Sequence, residues 1–187
     1  MMKLCIYIFL LILFSCKGRK EDVIGDKEEA SLKIRTKNRI FVIGDINGDK
    51  VNDTAFIGFK INIETNEIEC EEVDHSINLK FKQNIPDLKF YDSKGIVIKS
   101  TEDLNRDTAN EIVVFSRTNQ GWWNDVSVWS LKNNSWVMLA KTKAFISEEK
   151  DFNNRIVKID NHYYLIGDNQ LEEDSNGNFD KIKIKIE

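Results

Sequence analysis

Two short stretches of this chain set side-chain oxygens at regular intervals. One runs Asp45-Ile46-Asn47-Gly48-Asp49-Lys50-Val51-Asn52-Asp53, the other Asp103-Leu104-Asn105-Arg106-Asp107-Thr108-Ala109-Asn110-Glu111. Both read D-x-N-x-D-x-x-x-[DE], with Ile46 or Leu104 at the second position. Side chains at positions 1, 3 and 5 of such a loop converge on one centre, and the carboxylate at position 9 closes the shell. Position 7 adds a backbone carbonyl, here Val51 and Ala109. Hard oxygen donors of this kind suit calcium, which takes about six to eight oxygens at about 2.3–2.6 Å. Crowded carboxylates repel, and a divalent cation removes that cost. The alternative is a pair of Asx-turns that close hairpins without metal. A third acidic stretch, Asp174-Ser-Asn-Gly-Asn-Phe-Asp180, lacks the apolar-carboxylate ending, and its Asn176-Gly177 favours a hairpin turn over a metal site.

The segments that must hold these loops are β-rich. Runs of Val, Ile, Phe and Trp alternate with Asn, Asp, Gly and Ser clusters. Strands are expected at Arg39–Gly44, Ala55–Lys60, Glu67–Val73, Ile77–Phe81, Leu88–Tyr91 and Ile96–Lys99. Six more are expected at Ile112–Arg117, Val126–Leu131, Trp136–Ala140, Ile156–Ile159, Tyr163–Ile166 and Lys181–Ile186. No amphipathic helix of about ten residues or more stands out. From Ile112 to Phe115 every residue is apolar, while Val126 and Val128 oppose Trp129 and Leu131 across their strand. Strands buried on both sides belong inside stacked sheets. The last run, Lys181-Ile-Lys-Ile-Lys-Ile-Glu, alternates strictly and reads as a terminal strand with a wet lysine face.

The chain also repeats. The segment from Ile43 recurs from Thr101, about 58 residues on, a period that marks propellers and related arrays. Asp45 matches Asp103, Asn47 matches Asn105, Asp49 matches Asp107 and Asp53 matches Glu111. These residues resemble the FG-GAP/VCBS repeats of integrin-type β-propellers, whose blades carry a loop such as D-x-N-G-D-G-x-x-D. The resemblance covers the loop and the strand after it in each copy. It implies calcium bound between the first two strands of a blade, in a structural role. The glycine that the family carries at position 6 is Lys50 in one loop and Thr108 in the other. Gly48 survives at position 4, where the second loop has Arg106, and this favours calcium at the first loop. The family closes with about seven blades, and this chain has material for fewer than three. The expected fold is therefore all-β: a degenerate or incomplete β-propeller-like stack of antiparallel, roughly four-stranded units with acidic loops between strands. The units span about 39–92, 95–145 and 155–187.

The N-terminus carries a different chemistry. Lys3 precedes an apolar run from Leu4 to Phe14, followed by Ser15-Cys16. Crossing a hydrocarbon core of about 30 Å needs roughly 20 residues, so the run has the length of a secretory leader. Leu13-Phe14-Ser15-Cys16 resembles the lipobox of bacterial lipoproteins. That resemblance implies a signal peptide over 1–15, cleavage before Cys16 and diacylglyceryl attachment to its thiol. An ordinary signal peptide with a chance cysteine is the alternative. Residues 16–38, rich in Lys, Glu, Asp and Gly, read as lipidated cysteine and flexible tether, leaving 39–187 as one domain. With Cys5 in the leader and Cys16 acylated, Cys70 stands alone and no internal disulfide can form. A net charge of −4 speaks against nucleic acid as a partner.

The remaining candidates are few. Trp122 and Trp123 sit in a Gly-Trp-Trp-Asn turn, as a partner-binding pair or as packing over a sheet end. The Tyr163-Tyr164 pair is the next choice for a contact surface. His75 and His162 are isolated, and Glu71-Glu72 and Glu148-Glu149 read as solvated. The whole implies a lipid-anchored module of a bacterial envelope, outer membrane favoured, facing periplasm or exterior. It would bind a protein or glycan partner and perform no catalysis. The alternatives are an envelope inhibitor or immunity protein, and a small wall or glycan hydrolase.

Overall fold

The structure, a computed structural model, describes residues 34–62, 76–82 and 84–187. The expected leader, Cys16, Cys70, His75 and the strand expected at Glu67–Val73 lie outside the described residues. The chain is all-β, built of antiparallel sheets. The first sheet is β1 (Ile34–Gly44), β2 (Asp53–Asn62), β3 (Ile77–Phe81) and β4 (Leu88–Phe90), in that order. The second is β5 (Gly95–Ser100), β6 (Ile112–Arg117), β7 (Trp123–Lys132) and β8 (Ser135–Phe145). The third is β9 (Ile156–Ile159), β10 (His162–Glu173) and β11 (Phe179–Lys185). Each is a meander in which sequence neighbours pair. Among the described residues the helical element is a 3₁₀ turn at Glu149–Phe152, which the Glu148-Glu149 pair opens.

Local chemistry sets the turns. Asn133-Asn134 joins β7 to β8 and Asp160-Asn161 joins β9 to β10, all four at positive φ. Two-residue hairpins of type I′ need that conformation, and Asn and Asp tolerate it better than other non-glycine residues. β1 begins at Ile34, so residues 34–38, read from composition as tether, pair with β2 instead. Backbone pairing with β2 holds this polar run, and it needs no apolar side chains.

Packing follows the two-faced strands. Ile43, Ala55, Ile57, Leu79 and Phe81 of the first sheet meet Ile96, Ile98, Ile112 and Val114 of the second. On the opposite face of the second sheet, Val113, Phe115, Val126, Val128 and Ala144 meet Tyr163, Leu165 and Ile186. The second sheet therefore lies between the other two. Trp136 packs on Phe81 at 4.9 Å between ring centres, and its indole N–H donates to the Pro86 carbonyl at 2.7 Å. Trp129 meets Phe90 edge-on at 6.0 Å. Both tryptophans bury their bodies against the first core and satisfy their N–H groups, as a partly buried indole requires.

A buried polar clamp joins the third sheet to the second. The Arg155 guanidinium donates to Asp168 at 3.0 Å and to the Asp151 carbonyl at 2.7 Å. Asp168 also accepts the Phe145 N–H at 2.8 Å and pairs with Lys181. Losing one partner would strand the other charge away from water, the costly way to break such a pair. Nearby, β8 and β10 touch through Gly167. A Cβ there would fall on the Thr142 hydroxyl and 2.8 Å from the Lys143 carbonyl oxygen. Gly167→Ala should therefore cost about 1–3 kcal/mol, the usual penalty of overpacking. Urea unfolding checks this, and a neutral mutant would show that the two strands do not approach so closely.

Candidate metal centre

The two acidic loops occupy equivalent places, β1 to β2 in the first sheet and β5 to β6 in the second. Their hydrogen bonds are also equivalent. At position 1, Asp45 accepts the N–H groups of Gly48, Asp49 and Lys50, and Asp103 accepts those of Arg106, Asp107 and Thr108. At position 3, the Asn47 and Asn105 side-chain carbonyls accept the N–H of Asp49 and Asp107, each at 3.0 Å. At position 5, Asp49 accepts from Val51 at 2.8 Å and Asp107 from Ala109 at 3.1 Å. At position 9, Asp53 takes the N–H of Ile46 at 3.0 Å and Glu111 that of Leu104 at 2.6 Å. The apolar residue at position 2 is buried in both loops. It anchors the loop to the core and turns its own N–H toward the closing carboxylate.

These bonds force the backbone into a left-handed bend. Lys50 and Thr108, at position 6, stand at φ of 68° and 73°. Arg106 stands at 68°, where Gly48 stands at 76°. A non-glycine residue there costs roughly 1–2 kcal/mol. The second loop carries two such residues and the first carries one. The row of accepted N–H bonds offsets that strain.

The loops differ in how tightly their acids gather. Among the described residues, one group of three carboxylates has its oxygens all within 4.8 Å: Asp103, Asp107 and Glu111. Glu is one methylene longer than Asp, which lets position 9 reach further in the second loop. Retention of Gly48 favours the first loop on sequence grounds, yet the tighter convergence lies at the second. Asn105 donates from its amide to Glu111 at 2.6 Å and to the Ser130 hydroxyl at 2.9 Å. Ser130 in turn donates to Asp107 at 3.2 Å. Ser130 lies on β7, and nothing in the loop's own spacing points to it.

The donor set fits a hard divalent cation. A carboxylate offers about four lone-pair sites, and the N–H bonds on Asp103, Asp107 and Glu111 leave some of them open. Asp103, Asp107 and Glu111 would hold the ion, with Asn105 and the Ala109 carbonyl as the further donors that the spacing suggests. Burial, reinforced by the nearby charges of Asp107 and Asp103, pushes Glu111 up from 4.5 to about 7 against its hydrogen bond from Leu104. Burial likewise raises Asp53 in the first loop, with Asp49 and Asp45 adding to it.

The first loop touches the second. Asn110 N–H donates to the Asp45 carbonyl at 2.7 Å, and the Ser100 hydroxyl donates to the Ile43 carbonyl at 2.8 Å. Gly44, at φ 77°, lies under the Asn110 and Ser100 side chains, and a Cβ would approach them to 2.6 and 2.9 Å. The third acidic stretch behaves as a turn. Asp174 accepts from the backbone of Asn176 and Asn178, closing the hairpin between β10 and β11.

The structure separates the two tryptophans of the Gly-Trp-Trp turn. Trp123 packs edge-on against Phe145 at 5.5 Å and Phe179 at 4.8 Å. Trp122 is 52% exposed, with the Arg117 guanidinium 5.4 Å from its ring centre. Tyr163 is buried in the second core, while His162 is exposed. Comparison with protein-family models, with curated proteins and with solved structures finds no match for this chain.

Because Glu111 holds its proton more tightly when folded, its contribution is fully present below pH 4.5 and is lost as pH rises through about 7. Without divalent cations, unfolding free energy should fall across that window by up to about 3 kcal/mol. Asp53 acts in the same direction. Glu111→Gln should flatten most of the slope, as read by urea unfolding at pH 5 and pH 8. An unchanged slope in that variant would show that Glu111 is ionised throughout.

Proposed function

We propose that this chain is a lipid-anchored module of a bacterial cell envelope that binds a protein or glycan partner and performs no catalysis. Calcium staples its acidic loops, the second loop first. The observation that carries the reading is the convergence of Asp103, Asp107 and Glu111 at the junction of the first two sheets. Two further features support it. The loops share one hydrogen-bond pattern, and each sits between the first two strands of a four-stranded meander. In this reading the meanders are short relatives of FG-GAP/VCBS propeller blades. Calcium neutralises the buried acids, and its ligands are already oriented by backbone N–H groups. Its role is to lock the loops that tie one sheet to the next.

Partner contact falls to Trp122, a large aromatic held out from the stack beside Arg117. Aromatic and Arg side chains dominate the energetics of protein interfaces. Trp123 belongs instead to the ring cluster with Phe145 and Phe179. Trp122→Ala should abolish capture of the envelope partner at little cost in stability. Trp123→Ala should cost about 3 kcal/mol or more, as core aromatic truncations do. A pulldown beside denaturant unfolding reads both, and a large stability loss in Trp122→Ala would move the contact surface elsewhere.

A ligand that binds only the folded state adds about 2.7 kcal/mol at a hundredfold excess over its Kd. Adding chelator should therefore lower the melting temperature, and Asp103→Ala should remove most of the difference. Melting curves that coincide with and without chelator would end the calcium reading at both loops. The anchor is tested separately, since Cys16→Ser should accumulate precursor and lose metabolic palmitate label.

A further inference from the structure

The two acidic loops share their spacing and their backbone bonds, yet among the described residues the second alone gathers three carboxylates within 4.8 Å. Their side-chain bonds differ at one place. In the first loop the Asn47 amide donates straight to Asp49 at 3.1 Å, so positions 3 and 5 close on each other. In the second loop a hydroxyl from outside the loop stands between the same two positions. The Asn105 amide donates to Ser130 Oγ at 2.9 Å, and the Ser130 hydroxyl donates to Asp107 Oδ2 at 3.2 Å. The Asn105 amide also donates to Glu111 Oε1 at 2.6 Å. A continuous chain of bonds therefore runs from Glu111 through Asn105 and Ser130 to Asp107. It joins positions 9, 3 and 5 of the loop through one residue of β7.

Ser130 can hold this place because of where it sits. Its backbone is fixed within β7, opposite Val137 of β8, and the residue is 1% exposed. Burial keeps water from competing for its hydroxyl. A hydroxyl carries one donor and two acceptor sites, so it can take a bond from Asn105 and give one to Asp107 at once. At metal sites, groups outside the ligand shell orient the ligands in this way, and losing one costs about 10–100-fold in metal affinity. We propose that Ser130 is the positioning residue of the second loop. It holds Asn105 and Asp107 in place for a hard divalent cation and makes this loop the tighter of the two. The inference rests on the calcium reading of the loop, and it adds a residue from another strand that the loop's own sequence does not contain.

The test is calorimetric titration of the full chain with calcium chloride alone, beside melting curves of the same samples without calcium. Asp45→Ala, in the first loop, should leave the tighter binding event intact. Ser130→Ala should weaken that event about tenfold or more, with a calcium-free melting temperature close to that of the parent. Ser130→Thr keeps the hydroxyl and should bind calcium about as tightly as the parent. If Ser130→Ala does not fold, Ser130→Cys, close in size and only a weak donor, should show the same loss. Absence of calcium binding by the unaltered chain would end the calcium reading and this inference with it. Binding that Ser130→Ala or Ser130→Cys leaves unchanged would overturn the inference alone. Equal losses in Ser130→Thr and Ser130→Ala, or a calcium-free melting temperature that drops in step with affinity, would also overturn it by assigning Ser130 to packing.

Discussion

The two middle strands of the central sheet bury side chains on both faces. Ile112 to Phe115 and the two-sided β7 bury apolar side chains above and below, so neither face is stable until a neighbour covers it. Every other feature of the packing answers that need. The first sheet supplies one cover and the third the other, and hydrophobic burial is the largest favourable term available to such a chain. The polar links at the seams are fewer and more specific. Asn110, Ser100 and Gly44 fix the first cover, and Arg155 with Asp168 fixes the second. Burial supplies the attraction, and these links select one relative placement.

The acidic loops sit at the electrostatically awkward points of this arrangement. Glu111 is fully buried beside two other carboxylates, although burying a charge in a medium of low dielectric is costly. Two remedies are visible in its chemistry: holding a proton, or sharing a cation with Asp103 and Asp107. The backbone N–H groups already aim the acids inward, so either remedy meets a site that needs little rearrangement. The positive φ at Arg106 and Thr108 is held by their N–H bonds to Asp103.

Much of this was legible in the amino-acid order because the signals were local. Val126 and Val128 opposing Trp129 and Leu131 is a period-2 statement, and the two cores divide those residues as that period requires. The shared loop spacing marks Asp45 and Asp103, Asn47 and Asn105, Asp49 and Asp107, and Asp53 and Glu111 as equivalent positions. What stayed hidden was non-local. Ser130 enters the second loop from another strand, and Trp122 and Trp123 part company because Phe179 arrives from β11. The start of β1 leaves no mark in the sequence because Arg35, Thr36 and Lys37 carry no apolar signal. The propeller likeness stays with the proposed reading, since antiparallel meanders of this size suit several architectures.

The meander order has a consequence for how the molecule is made. Each described strand pairs with its neighbour in sequence, so each sheet closes its own ladder at a modest entropic cost. A chain emerging N-terminus first can complete the first sheet before the second is available, and the second before the third. Until β9 to β11 arrive, however, the far side of the central sheet shows Val113, Phe115, Val126 and Val128 to its surroundings. The final 30 or so residues thus act late and from outside, and the nascent chain is most prone to aggregate just before they dock.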